Sequence, residues 1–145
     1  MAKIYIASDH AGYSLKLGLI PHLNSLAHEV VDVGPHNLDP NDDYPDFIIP
    51  CAEKVAGDPG SFGIIIGKSG QGEAMAANRI HGVRAALFYG GNQETIRLTR
   101  EHNDANIISL GAGFITETEA KAAVRLFLET PFSNEPRHKR RLSEF

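Results

Sequence analysis

GIIIGKSGQGEAMAANR, residues Gly63 to Arg79, is the stretch whose reading decides the fold. Ile64, Ile65 and Ile66 read as a fully buried strand. Gly67, Gly70 and Gly72 follow within six residues, with Ser69 between the first two. From Glu73 through Ala77 the pattern turns helical. Strand, glycine-rich turn and helix start in that order aim several backbone N–H groups, and the positive end of a helix, at one point in space. That point suits an anion or a developing oxyanion. Glu73 stands beside it in the first helical turn, either as a charge complementing the helix dipole or as a base next to an oxyanion hole. A turn that only closes tightly is the competing reading.

Two nucleotide-binding motifs are excluded by spacing. A P-loop needs four residues between its first glycine and the Gly-Lys-Ser triplet. Counting back from Gly67, the nearest glycine is Gly63, one residue too close. A dinucleotide fingerprint needs a third glycine where Met75 stands.

The 145 residues suit one domain with a full core. Hydrophobic content of 42% and charged content of 22% are ordinary for a globular protein, and a net charge of -4 gives no case for nucleic acid or membrane partners. No apolar run reaches transmembrane length. The N-terminus runs straight into a strand without a signal-peptide layout, so the cytoplasm is the expected compartment. The single cysteine, Cys51, excludes an internal disulfide and a multi-cysteine metal site, and its mixed apolar neighbourhood predicts a buried structural thiol.

Outward from the opening stretch, strands alternate with helices. Lys3–Ala7, Glu29–Val33, Val83–Phe88 and Asn106–Leu110 read as the other four strands. Leu15, Leu19, Ile20, Leu23 and Leu26 have helical spacing, with a kink expected at Pro21. Phe47–Val55 reads as a helix containing Pro50. Gly90-Gly91-Asn92 opens a helix reaching about Glu101, and Thr116 with Glu119 forms a capping-box pattern for a helix ending before Pro131. Residues 132–145 read as a polar, basic tail. The pattern predicts an α/β fold: a three-layer α/β/α sandwich of Rossmann-like kind around a five-stranded parallel sheet. Ligands of such sheets bind beyond the carboxyl ends of the strands.

Several chemically capable residues punctuate this order. Asp9 and His10 follow the first strand. Ser69, the glycines and Glu73 follow the third. His102, Asn103 and Asp104 precede the fifth. Asp9 as a helix cap, His102 as a helix C-terminal residue and the basic tail as a solvated end are the plainer alternatives. As a set, a carboxylate base, a histidine, an oxyanion turn and arginines are the inventory for proton abstraction beside a carbonyl on an anionic substrate.

SDHAG, DDYPDF, GKSGQGEAMAANR, REHNDAN and RHKRR, in register over nearly the whole chain, resemble ribose-5-phosphate isomerase type B. The resemblance implies interconversion of ribose 5-phosphate and ribulose 5-phosphate without a metal, and no cofactor. It implies a homodimer, or a dimer of dimers, with each active site built from two subunits. Close relatives act on hexose 6-phosphates. One branch of the family has a cysteine base at the position of Gly67; the other uses a glutamate at the position of Glu73, and this chain resembles the second. By that resemblance, Glu73 shuttles a proton between C1 and C2 through a cis-enediolate. Backbone N–H groups across Lys68, Gly70, Gln71 and Gly72 hold its oxygens, and Ser69 bonds the reacting end. His102, with Asp9 nearby, opens the furanose ring, and Asn103 holds a hydroxyl. His10, Arg137 and Arg141 bind phosphate, and Tyr44 lines the site. A base that also serves as acid needs a pKa near working pH, so burial must raise Glu73, with Met75, Ala76 and Ala77 as its expected apolar neighbours.

Three positions depart from the glutamate branch. Gly113 stands where an arginine for phosphate is common, Lys68 where glycine is usual, and Gly90-Gly91-Asn92 lengthens a loop. Lys68 replacing the missing charge, Lys68 contacting the enediolate end and Lys68 pointing to solvent all fit. A hexose-6-phosphate isomerase and a non-catalytic sugar-phosphate-binding module are the alternative functions.

Overall fold

The computed structural model describes residues 1–145. Five strands form one parallel sheet: β1 (Lys3–Ser8), β2 (Glu29–Gly34), β3 (Phe62–Gly67), β4 (Ala85–Phe88) and β5 (Ile107–Gly111), in the spatial order β2-β1-β3-β5-β4. Six helices cover it: α1 (Tyr13–Ser25), α2 (Pro45–Ala56), α3 (Gln71–Ala77), α4 (Glu94–Asn103), α5 (Glu117–Glu129) and α6 (Pro136–Leu142).

The period-2 geometry of a strand sends neighbouring side chains to opposite faces. Ile4, Ile6, Ile64, Ile66, Ile108 and Leu110 therefore pack with Leu19, Leu23, Ile96 and Phe127 of α1, α4 and α5. Tyr5, Ala7, Ile65 and Ile107 pack with Ile48, Cys51, Ala52, Val55 and Ala77 of α2 and α3. The isoleucine run thus feeds both cores, which is why it is uninterrupted. Each fully buried side chain of this size contributes about 1.5–3 kcal/mol relative to leaving it in water. Cys51 lies wholly inside the second core, and burial pushes its thiol up to about 12, so it is an inert packing residue.

The expected boundaries hold with informative exceptions. Both α1 and α2 run through their prolines, and Pro21 and Pro50 lie on the solvent side. Strand β4 is shorter than its apolar run because the N–H of Arg84 donates to the Asn106 side chain instead of the ladder. Thr116 and Glu119 form the expected reciprocal cap. The C-terminal segment is not simply a solvated tail. Pro136 occupies the first turn of α6, and His138 anchors that helix with only 3% of its surface exposed. No helix is long and apolar enough to cross a membrane.

Candidate active site

From β1 the chain moves outward to β2, and from β3 it moves to the other side, so the carboxyl ends of β1 and β3 flank the crevice where the order reverses. Asp9 leaves β1 there, tied by its own N–H to the Ile66 carbonyl of β3 (3.2 Å). Its Oδ1 accepts the Gly12 N–H at 3.0 Å, so it does cap the turn into α1 while lying 7% exposed beside the crevice.

Across the crevice, Glu73 is 4% exposed in the first turn of α3. Its carboxylate lies over Gly67, where any side chain would overlap it. Burial raises its pKa above the ordinary carboxylate range, and the charge of Asp9 acts in the same direction. The source of this burial differs from the expectation for Met75, which is 70% exposed. The glycine floor and the packing of α3 on the sheet remove Glu73 from water instead.

Between Gly67 and α3 the backbone makes the expected tight turn. Gly70 adopts φ +77°, which a side chain would strain. Its carbonyl accepts the Ser109 hydroxyl at 2.6 Å, stapling the turn to β5. Ser69 Oγ accepts the Gln71 N–H at 3.3 Å. The N–H groups of Lys68, Ser69 and Gly70 donate to no acceptor within the chain, leaving them for a ligand. Tyr44, at the start of α2, puts its hydroxyl close against Gly72. Gln71 is exposed. The stem of exposed Lys68 lies along Gly113: a Cβ at Gly113 would be 3.1 Å from Lys68 Cγ.

His10 stands at the same edge. Its Nδ1 is 2.7 Å from Asp42 Oδ1, which also accepts the His10 backbone N–H at 3.3 Å. The bond to Asp42 raises the His10 pKa above the ordinary imidazole value.

His102, Asn103, Arg137 and Arg141 do not join this group within one chain. Helix α4 runs back against the strands, so His102 and Asn103 end up at the amino edge of the sheet, about one strand length from its carboxyl edge. There His102 stacks on His138 of α6, with ring centroids 4.4 Å apart, and Arg137 and Arg141 extend from α6 into solvent. Burial lowers the His138 pKa, and neighbouring His102 adds to this. Arg84 Nε donates to the carbonyls of Asn103 and Asp104, and Arg100 pairs with Asp104 at 2.9 Å, clamping the end of α4. A cavity of about 460 Å³ opens beside Asn103, lined also by Asn78, Arg84, Thr99 and Phe145. Catalytic-type groups therefore form two clusters at opposite edges of one sheet.

Comparison with known proteins decides the family. The ribose/galactose isomerase family model matches residues 4–145. The chain belongs to that family. Ribose-5-phosphate isomerase B of Mycobacterium tuberculosis H37Rv is 45% identical over 140 residues, covering 97% of this chain and 85% of the relative. The corresponding protein of Mycoplasma pneumoniae, described as probable ribose-5-phosphate isomerase B, is 41% identical, covering 97% and 91%. The crystal structure of Mycoplasma genitalium ribose-5-phosphate isomerase B with bound ribulose 5-phosphate superposes with a TM-score of 0.92 at 41% identity, covering 98% of this chain and 92% of that one. The type B enzyme of Trypanosoma brucei gives 0.92 at 34% identity, covering 99% and 96%.

Within this family frame, two partners escaped the sequence reading. Asp42 lies in the quoted DDYPDF stretch, but its bond to His10 spans 32 residues and leaves no local signal. His138 was hidden inside the basic RHKRR run, where a buried ring has no signature.

Proposed function

We propose that this protein interconverts ribose 5-phosphate and ribulose 5-phosphate, with Glu73 as the proton-shuttling base. The observation that carries the proposal is the buried Glu73 carboxylate beside a turn with three unused N–H groups. With the open-chain aldose bound, the Glu73 carboxylate removes the proton from C2, and the electron pair shifts to make a cis-enediolate. The N–H groups of Lys68, Ser69 and Gly70 stabilise the developing oxyanion, with Ser69 Oγ on the reacting end. The protonated Glu73 then returns the proton to C1, and the hydroxyl proton passes from O2 to O1. The raised pKa suits a group that must both take and give.

One chain holds half of this site. A second copy, placed with its α4–α6 edge over the crevice, supplies His102 for ring opening beside Asp9, Asn103 for a hydroxyl, and Arg137 and Arg141 for phosphate. His10 completes the phosphate end, and Tyr44 walls it. The homodimer is thus the working unit of the proposal, in the cytoplasm.

The test is turnover of C5 and C6 aldose phosphates by the purified protein. Ribose 5-phosphate as the preferred substrate supports the proposal. Preference for allose or galactose 6-phosphate would reassign the substrate, and binding without turnover would make the protein a sugar-phosphate-binding module.

A further inference from the structure

We infer that Asp42 is a positioning residue that holds His10 as an anion-binding cation, with Nε2–H directed outward for the substrate phosphate. This rests on the proposed function for the identity of the anion. The Asp42 side chain is only 4% exposed, whereas the His10 side chain is 41% exposed. One Asp42 oxygen grips both the ring Nδ1 and the backbone N–H of His10, which fixes the ring in rotation as well as in tautomer. The other oxygen, Oδ2, is buried with no partner in the chain. A carboxylate kept out of water with half of its hydrogen-bonding capacity unused costs stability, which a surface tether would not require.

The loop that carries Asp42 is itself fixed. Lys16 of α1 is completely buried, and its ammonium donates to Asp32 Oδ1 at 2.8 Å and to the Pro35 carbonyl at 2.5 Å. The Tyr13 hydroxyl donates to the next carbonyl, that of His36, at 3.2 Å. Asp42 therefore reaches His10 from a loop clamped at its root. Asp42 is the charged group in contact with the ring, and Asp39 from that loop and Asp9 just beyond β1 act on it from farther away. All three are carboxylates, and all favour the imidazolium. With Nδ1–H committed to Asp42, the remaining donor is Nε2–H at the exposed side of the ring. An imidazolium donor suits a phosphate oxygen.

The experiment follows His10 by nitrogen-detected NMR in the wild type, Asp42→Asn and His10→Gln, with inorganic phosphate as probe. In the wild type, the ring should titrate above about 6.5, keep its proton on Nδ1 when neutral, and shift on adding phosphate. In Asp42→Asn, the titration should fall back toward that ordinary value. Phosphate binding and KM for ribose 5-phosphate at pH 8 should then weaken roughly three- to tenfold, with kcat little changed. The double variant should be no weaker than His10→Gln alone. An unchanged His10 titration in Asp42→Asn overturns the inference, as does a wild-type ring with its neutral proton on Nε2. The wild-type spectrum decides even if the variant fails to fold. A ring that titrates as expected but ignores phosphate overturns the anion-binding role. Loss of the substrate reading appears separately, as a wild type that shows the coupling and binds phosphate yet does not turn over ribose 5-phosphate.

Discussion

The carboxylate of Glu73 occupies the space that a side chain at Gly67 would need. The two positions are sterically exclusive: a base carried on the strand end and a base carried on the helix cannot both fit. This gives the glycine at the end of β3 a role beyond the turn, as the floor on which Glu73 rests.

Gly67→Ala should therefore displace the carboxylate while adding only one methyl group. Misplacing a reacting group by about 1 Å costs roughly 10²-fold in rate, and overpacking costs about 1–3 kcal/mol. Steady-state kinetics and urea unfolding check both. Near-normal turnover would mean that Glu73 does not act from its position over Gly67.

Glu73→Gln should lower kcat by about 10²–10⁴ with a modest change in KM. It should also alter stability with a definite sign. Because the folded pKa of Glu73 is raised, the native state binds more protons than the unfolded state between the ordinary carboxyl value, about 4.3, and the raised value. The Glu73 contribution to stability is thus full below about pH 4 and is lost as pH rises through the folded pKa. Glutamine removes that loss, so the variant should gain on the wild type between pH 4 and pH 8. Parallel denaturation curves at the two pH values measure this, and an identical pH dependence would refute it.

Mixing two impaired variants tests the proposed shared site. Glu73→Gln damages the crevice cluster and His102→Ala the opposite cluster. If the proposed dimer forms and equal amounts are unfolded and refolded together, half of the dimers should be hybrids, each holding one intact site. About a quarter of wild-type activity should return. With ribose 5-phosphate as substrate, no recovery in a mixture that does form hybrids would place both residues in the same site of one chain, against the fold.

Lys68→Ala distinguishes the readings left open by Gly113. The lysine stem already lies where a side chain from Gly113 would go. If its ammonium serves the phosphate, KM should rise up to roughly tenfold with kcat preserved, the exposed position favouring the smaller end. A fall in kcat would assign it to the enediolate end, and no change in either would leave it a solvent-facing charge.

The layered fold was legible because its signals are local. Ile64-Ile65-Ile66 is too apolar for a one-faced strand, and Gly67, Gly70 and Gly72 mark the turn directly. Glu73 was legible from its place in the first helical turn. The source of its burial was not, because Met75 follows helical geometry outward and Gly67 approaches through tertiary packing. A site built from two subunits rests on the resemblance alone. Nothing near His102 announces that α4 carries it to the far side, though the antiparallel return of every crossover helix dictates it. The His10–Asp42 and His102–His138 contacts join distant segments and leave no local pattern.

The Ser109–Gly70 bond has a consequence for heating. It couples the turn before Glu73 to β5, whose outer neighbour β4 is a four-residue edge strand. Fraying of that edge would slacken the turn while both isoleucine cores stayed intact. Activity should then fade several degrees before the helices melt, so that catalysis acts as a thermometer for one corner of the sheet.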